Sequence, residues 1–158
     1  FQPLTGADIW VLDVKTHARR ALVRTLFDET WARFSPDGRT IAYMSNESGR
    51  WEIYLRSAAS DGSRIRVSTG GGVWPCWSVD GKTVYFSESG RTMAATVSTG
   101  TALSASRPIS VPGADAMVLA GGGTAGDRLL VRQADARPAG RGELRVVLEW
   151  FNELTKRL

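Results

Sequence analysis

With 158 residues, 42% of them hydrophobic and 23% charged, the chain is long enough to bury a core as one domain and too apolar for wholesale disorder. The net charge of +4 and the pI near 9.7 come from scattered residues such as Arg19, Arg20, Arg39, Arg50, Arg128 and Arg157. With no basic run and no basic helix interleaved with aromatics, a nucleic-acid partner is not expected. A single cysteine, Cys76, excludes an internal disulfide and any multi-cysteine zinc site. No run of about 18 apolar residues is present to span a membrane. Set between aromatics in VWPCW, Cys76 reads as a small buried hydrophobe, which leaves the redox compartment open.

In chain order, DIWVLDV (8–14) and Ala21–Thr25 read as two strands around a polar turn, KTHARR, that carries the only histidine, His17. Next comes WARFSPDGRTIAYMS (31–45). One strand ends at Phe34, a Ser-Pro-Asp-Gly turn follows, and a second strand places Ile41 and Tyr43 on one face. Pro36 pre-sets φ and Gly38 supplies a positive φ, so the segment is a β-hairpin. WEIYLRS (51–57) and Arg64–Ser68 complete a unit of four strands. The pattern then returns as WPCWSVDGKTVYFSE (74–88), in which Trp31, Ser35, Asp37, Gly38 and Thr40 recur 43 residues on as Trp74, Ser78, Asp80, Gly81 and Thr83. TMAATVS (92–98) and a strand near residues 108–111 complete the second unit. A third hairpin over 115–133 keeps the turn glycine, Gly126, and the strand 129–131, without the aromatic anchors. Residues 143–149 read as a strand. Trp150–Leu158 reads as a short amphipathic helix that packs on a blade edge through Trp150, Phe151 and Leu154.

Four short strands in every 43 residues or so is the period of propeller blades. Leucine-rich repeats are shorter, and a β-sandwich has no reason to repeat a turn. The expected fold is all-β, built of β-propeller blades of four antiparallel strands. Residues 1–142 supply the blades: a part blade at 8–26, full blades at 31–69 and 73–111, and a part blade at 115–134. Residues 143–158 supply the C-terminal strand and short helix. About three blades per chain make half of a six-bladed ring, and rings close with about four to eight. Either the missing blades belong to a longer protein, or two copies form a homodimer that completes the ring. In the second case the strands at 8–14 and 144–149 compete for one slot. A chain that begins at Phe1, without Met or a signal-peptide pattern, reads as a segment of something longer.

The segment FSPDGRTIAYMS resembles the repeat of TolB-type propellers, WD-repeat-like units with an F-S-P-D-G turn. The resemblance spans about residues 8–134, with Val79 replacing the proline in the second copy. The ending VVLEWFNEL (146–154) is similar to tails of bacterial proteins in which a Hanks-type Ser/Thr kinase or a transcriptional regulator is fused to such a propeller. No kinase or DNA-binding motif occurs in this chain. The resemblance implies a bacterial binding or sensor module, periplasmic or otherwise extracytoplasmic.

Catalytic patterns are missing from the sequence. His17 has no G-x-S-x-G elbow to serve. The GGG runs at 70–72 and 121–123 do not open helices, so they read as loops leading into strands. Asp37, Asp61 and Asp80 belong to turns and not to a calcium loop, so no metal or cofactor is expected. Asp28 with Glu29, and Asp8 with Asp13, are carboxylate pairs by proximity in sequence alone. A ligand is expected where loops lead into the innermost strands around the channel, at 26–31, 70–75 and 112–116. The candidate ligand-binding residues there are Asp28, Glu29, Trp31, Arg33 and Trp74. The two tryptophans either wedge between blades or anchor a ligand. Arg33, whose repeat partner is Cys76, either faces the channel or pairs with Asp28.

The functional expectation is a non-catalytic module that binds a protein, peptide or small ligand. Two alternatives stand beside it. One is the substrate-gating propeller of a prolyl-oligopeptidase-like enzyme whose catalytic domain lies elsewhere. The other is a self-assembling structural fragment with no ligand.

Overall fold

The turn chemistry sets the architecture, and it is the same in both copies. In the computed structural model the hydroxyl of Ser35 donates to Asp37 Oδ1 at 2.6 Å, and the amide of Thr40 returns to Ser35 Oγ at 3.0 Å. Ser78, Asp80 and Thr83 repeat these bonds at 2.6 and 2.9 Å. Gly38 and Gly81 hold φ of 71° and 70°, the left-handed conformation that closes each turn without a Cβ penalty. The structure describes residues 6–59, 63–99, 102–112, 117–118, 124–125, 128–129 and 131–132.

All described strands pair antiparallel, and no helix occurs among the described residues. β1 (Ile9–Leu12) and β2 (Arg19–Val23) form a two-stranded sheet, the first unit. β3 (Glu29–Phe34), β4 (Thr40–Ser45), β5 (Glu52–Ser57) and β6 (Arg64–Arg66) follow as a meander, blade A. β7 (Val73–Trp77), β8 (Thr83–Glu88) and β9 (Arg91–Ser98) repeat it as blade B. Its outer strand is split into β10 (Ser104–Ala105) and β11 (Ile109–Ser110), both on β9. β12 (Met117–Val118) pairs with β15 (Val131–Arg132), and β13 (Thr124–Ala125) with β14 (Arg128–Leu129). These four short pieces lie along the third hairpin, with β12 packed on blade B. The chain is thus an all-β partial propeller. No helix of the described residues is long and apolar enough to cross a membrane.

Every residue of β4 is buried, because blade A is covered on both faces. Ile41, Tyr43 and Tyr54 pack toward Ile9, Leu22 and Val23 of the first unit, with the Tyr43 and Tyr54 rings stacked at 5.7 Å. Ala42, Met44, Ile53, Leu55 and Val67 pack toward Trp77, Val84, Phe86 and Ala95 of blade B. Alternation along a strand therefore sorts apolar residues to two interfaces and not to a core and a solvent face.

Several boundaries differ from the sequence expectation. β1 stops at Leu12, because Asp13 Oδ1 accepts the amides of Lys15 and Thr16 and turns the chain. β2 lies at 19–23 and β6 ends at Arg66, since the hydroxyls of Thr25 and Ser68 serve buried carboxylates beyond the strand ends. The single strand near 108–111 is interrupted at Ser106–Pro108. Ser106 Oγ accepts the amide of Thr96 at 3.0 Å, and Pro108 has no N–H to give. The C-terminal strand at 143–149 and the helix at 150–158 lie outside the described residues.

Candidate functional site

β3 and the loop that leads into it carry most of the expected site. Asp28 Oδ1 accepts the amide of Ala7 at 2.9 Å and its Oδ2 accepts Asn46 Nδ2 at 3.0 Å. The Asp28 amide donates to Asn46 Oδ1 at 2.9 Å, so this residue ties three segments together. Glu29 is only 1% exposed. Its Oε1 accepts the hydroxyls of Thr25 at 2.5 Å and Ser45 at 3.4 Å. Its Oε2 is buried with no hydrogen-bond partner among the described residues. Burial raises the Glu29 pKa above the usual carboxylate value, the two hydroxyls oppose this, and the nearby charge of Asp8 adds to it.

Trp31 sits where β3 bulges, between the Thr30–Met44 and Arg33–Ala42 pairs. Trp74 occupies the same bulge of β7, between the Val73–Ser87 and Cys76–Tyr85 pairs. Both hold a left-handed backbone, φ 55° and 57°, which strains a bulky residue by about 1–2 kcal/mol. Their surroundings differ. Trp74 is half-buried against the blade A/blade B core, with its amide 3.3 Å from Met44 Sδ. Trp31 is 44% exposed, and the Arg33 guanidinium lies 5.9 Å from its ring centroid. Arg33 also donates to the Ala32 carbonyl at 3.1 Å, while Asp28 is engaged with Ala7 and Asn46. Leu26 and Phe27, both exposed, lie in the loop that leads into β3.

The structure thus brings Trp31 and Arg33 together at the surface, puts Asp28 and Glu29 into the loop's framework, and sets Trp74 between the two full blades. Cys76 is buried, and its thiol is pushed up to about 11 by burial, with the charge of Arg33 opposing; it is no thiolate at neutral pH. His17 is exposed in the β1–β2 turn at φ 60°. No group of three or more His, Cys, Asp or Glu is placed to hold a metal among the described residues.

Two features escaped the sequence reading. Glu52 is a second buried carboxylate, bound by Arg50 Nε at 2.7 Å, by the Gly71 amide at 3.1 Å and by the Ser68 hydroxyl. A groove of about 440 Å³ also lies between the Ser-x-Asp-Gly turns of blades A and B, lined by Asp37, Asp80, Lys82, Trp77 and Val97. It sits at the opposite end of the inner strands from the Trp31 loop. Recurrence of the same turn in adjacent blades was the signal that could have located it.

No protein-family model matches the chain, and no curated protein matches it. Among solved structures, it is similar to TolB from Acinetobacter baumannii at 25% identity and a TM-score of 0.46. That match covers 61% of this chain and 25% of the TolB chain. The chain therefore spans about a quarter of that protein's length.

Proposed function

We propose that the chain is a non-catalytic propeller module that binds a protein or peptide segment through the loops leading into its inner strands. The observation that carries this reading is Trp31. It is a large aromatic kept exposed on a strained backbone, with a guanidinium across its ring and the exposed Leu26 and Phe27 in the loop that leads into its strand. Strain of this kind persists where the surroundings over-determine it and clusters at ligand clamps. The pair suits an apolar or aromatic side chain next to a carboxylate, and Trp and Arg are the residues most often found as binding anchors. Trp74, held alike but packed against the blade A/blade B core, gives the wedge role between blades, and a half-exposed Trp31 has room for both.

In this reading residues 1–142 supply the blades and 143–158 a C-terminal strand and short helix, and two copies make a six-bladed ring. The resemblance of FSPDGRTIAYMS to TolB-type repeats supports a bacterial, extracytoplasmic sensor role. The test is selection of peptides from a displayed random library on the immobilised chain. Selected peptides should carry an aromatic and an acidic residue, and should lose about 30-fold in affinity against Trp31→Ala. Peptides indifferent to both Trp31→Ala and Arg33→Ala would sink the proposal.

A further inference from the structure

Blade A and blade B meet through side chains whose counterparts, one repeat earlier, stand uncovered. Trp77 is 7% exposed and donates its Nε1–H to the Arg33 carbonyl of blade A at 3.1 Å, whereas Phe34, at the same repeat position, is 53% exposed. On the outer half, the register pairs place Trp10 and Leu12 of β1 where Met93 and Ala95 stand in β9. Ala95 is fully buried against blade A, yet Trp10 is 52% exposed and Leu12 likewise uncovered. Trp10 and Leu12 lie opposite Ala21 and Arg19, and all four are exposed, so one whole face of the first unit is bare.

The far side of blade B is the complement. Ile109 pairs with Ala94 as Ile65 pairs with Leu55, but Ile65 is packed on the blade A/blade B core while Ile109 is 68% exposed. One face lacks a preceding blade and the other lacks the outer half of a following one.

The strand edges match as well as the faces. The first unit is an outer pair whose β1 has only β2 as a partner among the described strands. β12 and β15 are an inner pair, with β12 packed on blade B and Thr124 Oγ1 donating to the Trp77 carbonyl at 2.9 Å. β15, on the second strand of that pair, has only β12 as a partner among the described strands. In blade A the inner pair joins the outer pair through β4 and β5, with Tyr43 opposite Tyr54 and Ile41 opposite Arg56.

We propose that β15 of one copy pairs with β1 of a second, making a composite blade, so that two such blades close the ring. The repeat fixes the register. Val131 falls opposite the partner subunit's Trp10, and Leu129 opposite the partner's Leu12. The partner's Trp10 and Leu12 then cover Ile109, and the inner pair covers the partner's Phe34. This junction rests on the reading of the chain as half of a six-bladed ring. It is a contact between two different surfaces that closes after two copies.

The test mixes two variants of the 158-residue chain, Trp10→Cys and Val131→Cys, each in a Cys76→Ala background, under mild oxidation. Directly opposed strand residues lie within disulfide reach. The mixture should give a reducible species of twice the 17.1 kDa chain mass, which neither variant forms alone. The pair Leu12→Cys and Leu129→Cys repeats the test if the first pair fails to fold. Light scattering on the unmodified chain should read two chains. A mass of two chains without either crosslink would overturn the composite blade. A monomer would overturn it together with the ring. A double variant that crosslinks within one chain would show β1 and β15 pairing in cis and also overturn it.

Discussion

Blade A has a neighbour on each side, and the two junctions are built differently. Toward blade B it meets another inner and outer strand set, and the interface runs from Met44 and Trp77 near the channel to Leu55 and Ala95 further out. Toward the first unit it meets only an outer pair, so Tyr43, Tyr54 and Ile41 are covered by Ile9, Leu22 and Val23, while Phe34 and Trp31 are not. The two buried carboxylates follow the same division. Glu52 gathers a guanidinium, an amide and a hydroxyl, whereas Glu29 gathers two hydroxyls. A repeat therefore fixes the backbone of each junction, but the polar completion depends on which strands are present to supply donors.

The largest effect that could break this contrast is in the apolar layer. Phe86→Ala should lower stability by about 3–5 kcal/mol in urea denaturation, because its ring is fully enclosed between blades A and B. Ile9→Val at the narrower junction should cost about 0.5–1.5 kcal/mol. Equal losses at both sites would mean that the first unit is as firmly seated as a full blade.

The carboxylates sharpen the comparison at a smaller scale. Glu52→Gln should destabilise by about 1.5–3 kcal/mol, since it removes a charged acceptor from Arg50, Gly71 and Ser68. Glu29→Gln should stay within about 0.5 kcal/mol at neutral pH, because one of its oxygens has no partner among the described residues to lose. Denaturation curves of the two variants side by side decide it, and reversal of their order would refute the distinction.

Acidity gives the smallest and most specific effect. The folded state raises the Glu29 pKa above its ordinary value of 4.5, so it holds the proton more tightly than the unfolded chain does. Its stabilising contribution is complete below about pH 4.5 and is lost as pH rises through the higher folded value. The stability of the unmodified protein minus that of Glu29→Gln should therefore fall with rising pH across this window, and a flat difference would contradict it. Asp37 and Asp80 run the other way. Their serine hydroxyls depress both pKa values, so their contribution is present above about pH 3.8 and fades as pH drops through the lower folded values.

The hairpins were legible in the sequence because their determinants are local. Ser35, Asp37 and Gly38, with Ser78, Asp80 and Gly81, make each turn from residues within a few positions of one another. Trp31 and Trp74 could be located by their recurrence, although their left-handed backbones could not, since nothing in the residue type announces φ near 55°. Strand ends were misplaced where a hydroxyl serves a distant carboxylate, as Ser68 does for Glu52. The burial of Glu29 was hidden for the same reason, because Ser45 reaches it across sixteen positions of chain. The separation of Arg33 from Asp28 follows from Asn46, a loop residue that takes the aspartate first.

The interruption at Ser106–Pro108 has a consequence for solution behaviour. The outward rims of the sheets are poor templates for stray polymerisation. β10 and β11 are two residues each, separated by a proline, and β6 is three residues with arginine at both ends. β2 begins with Arg19 and Arg20, both exposed. An intruding chain would find few consecutive amides and carbonyls and an unwelcoming charge along any of these margins. Fibril growth by sideways accretion is therefore disfavoured at the circumference.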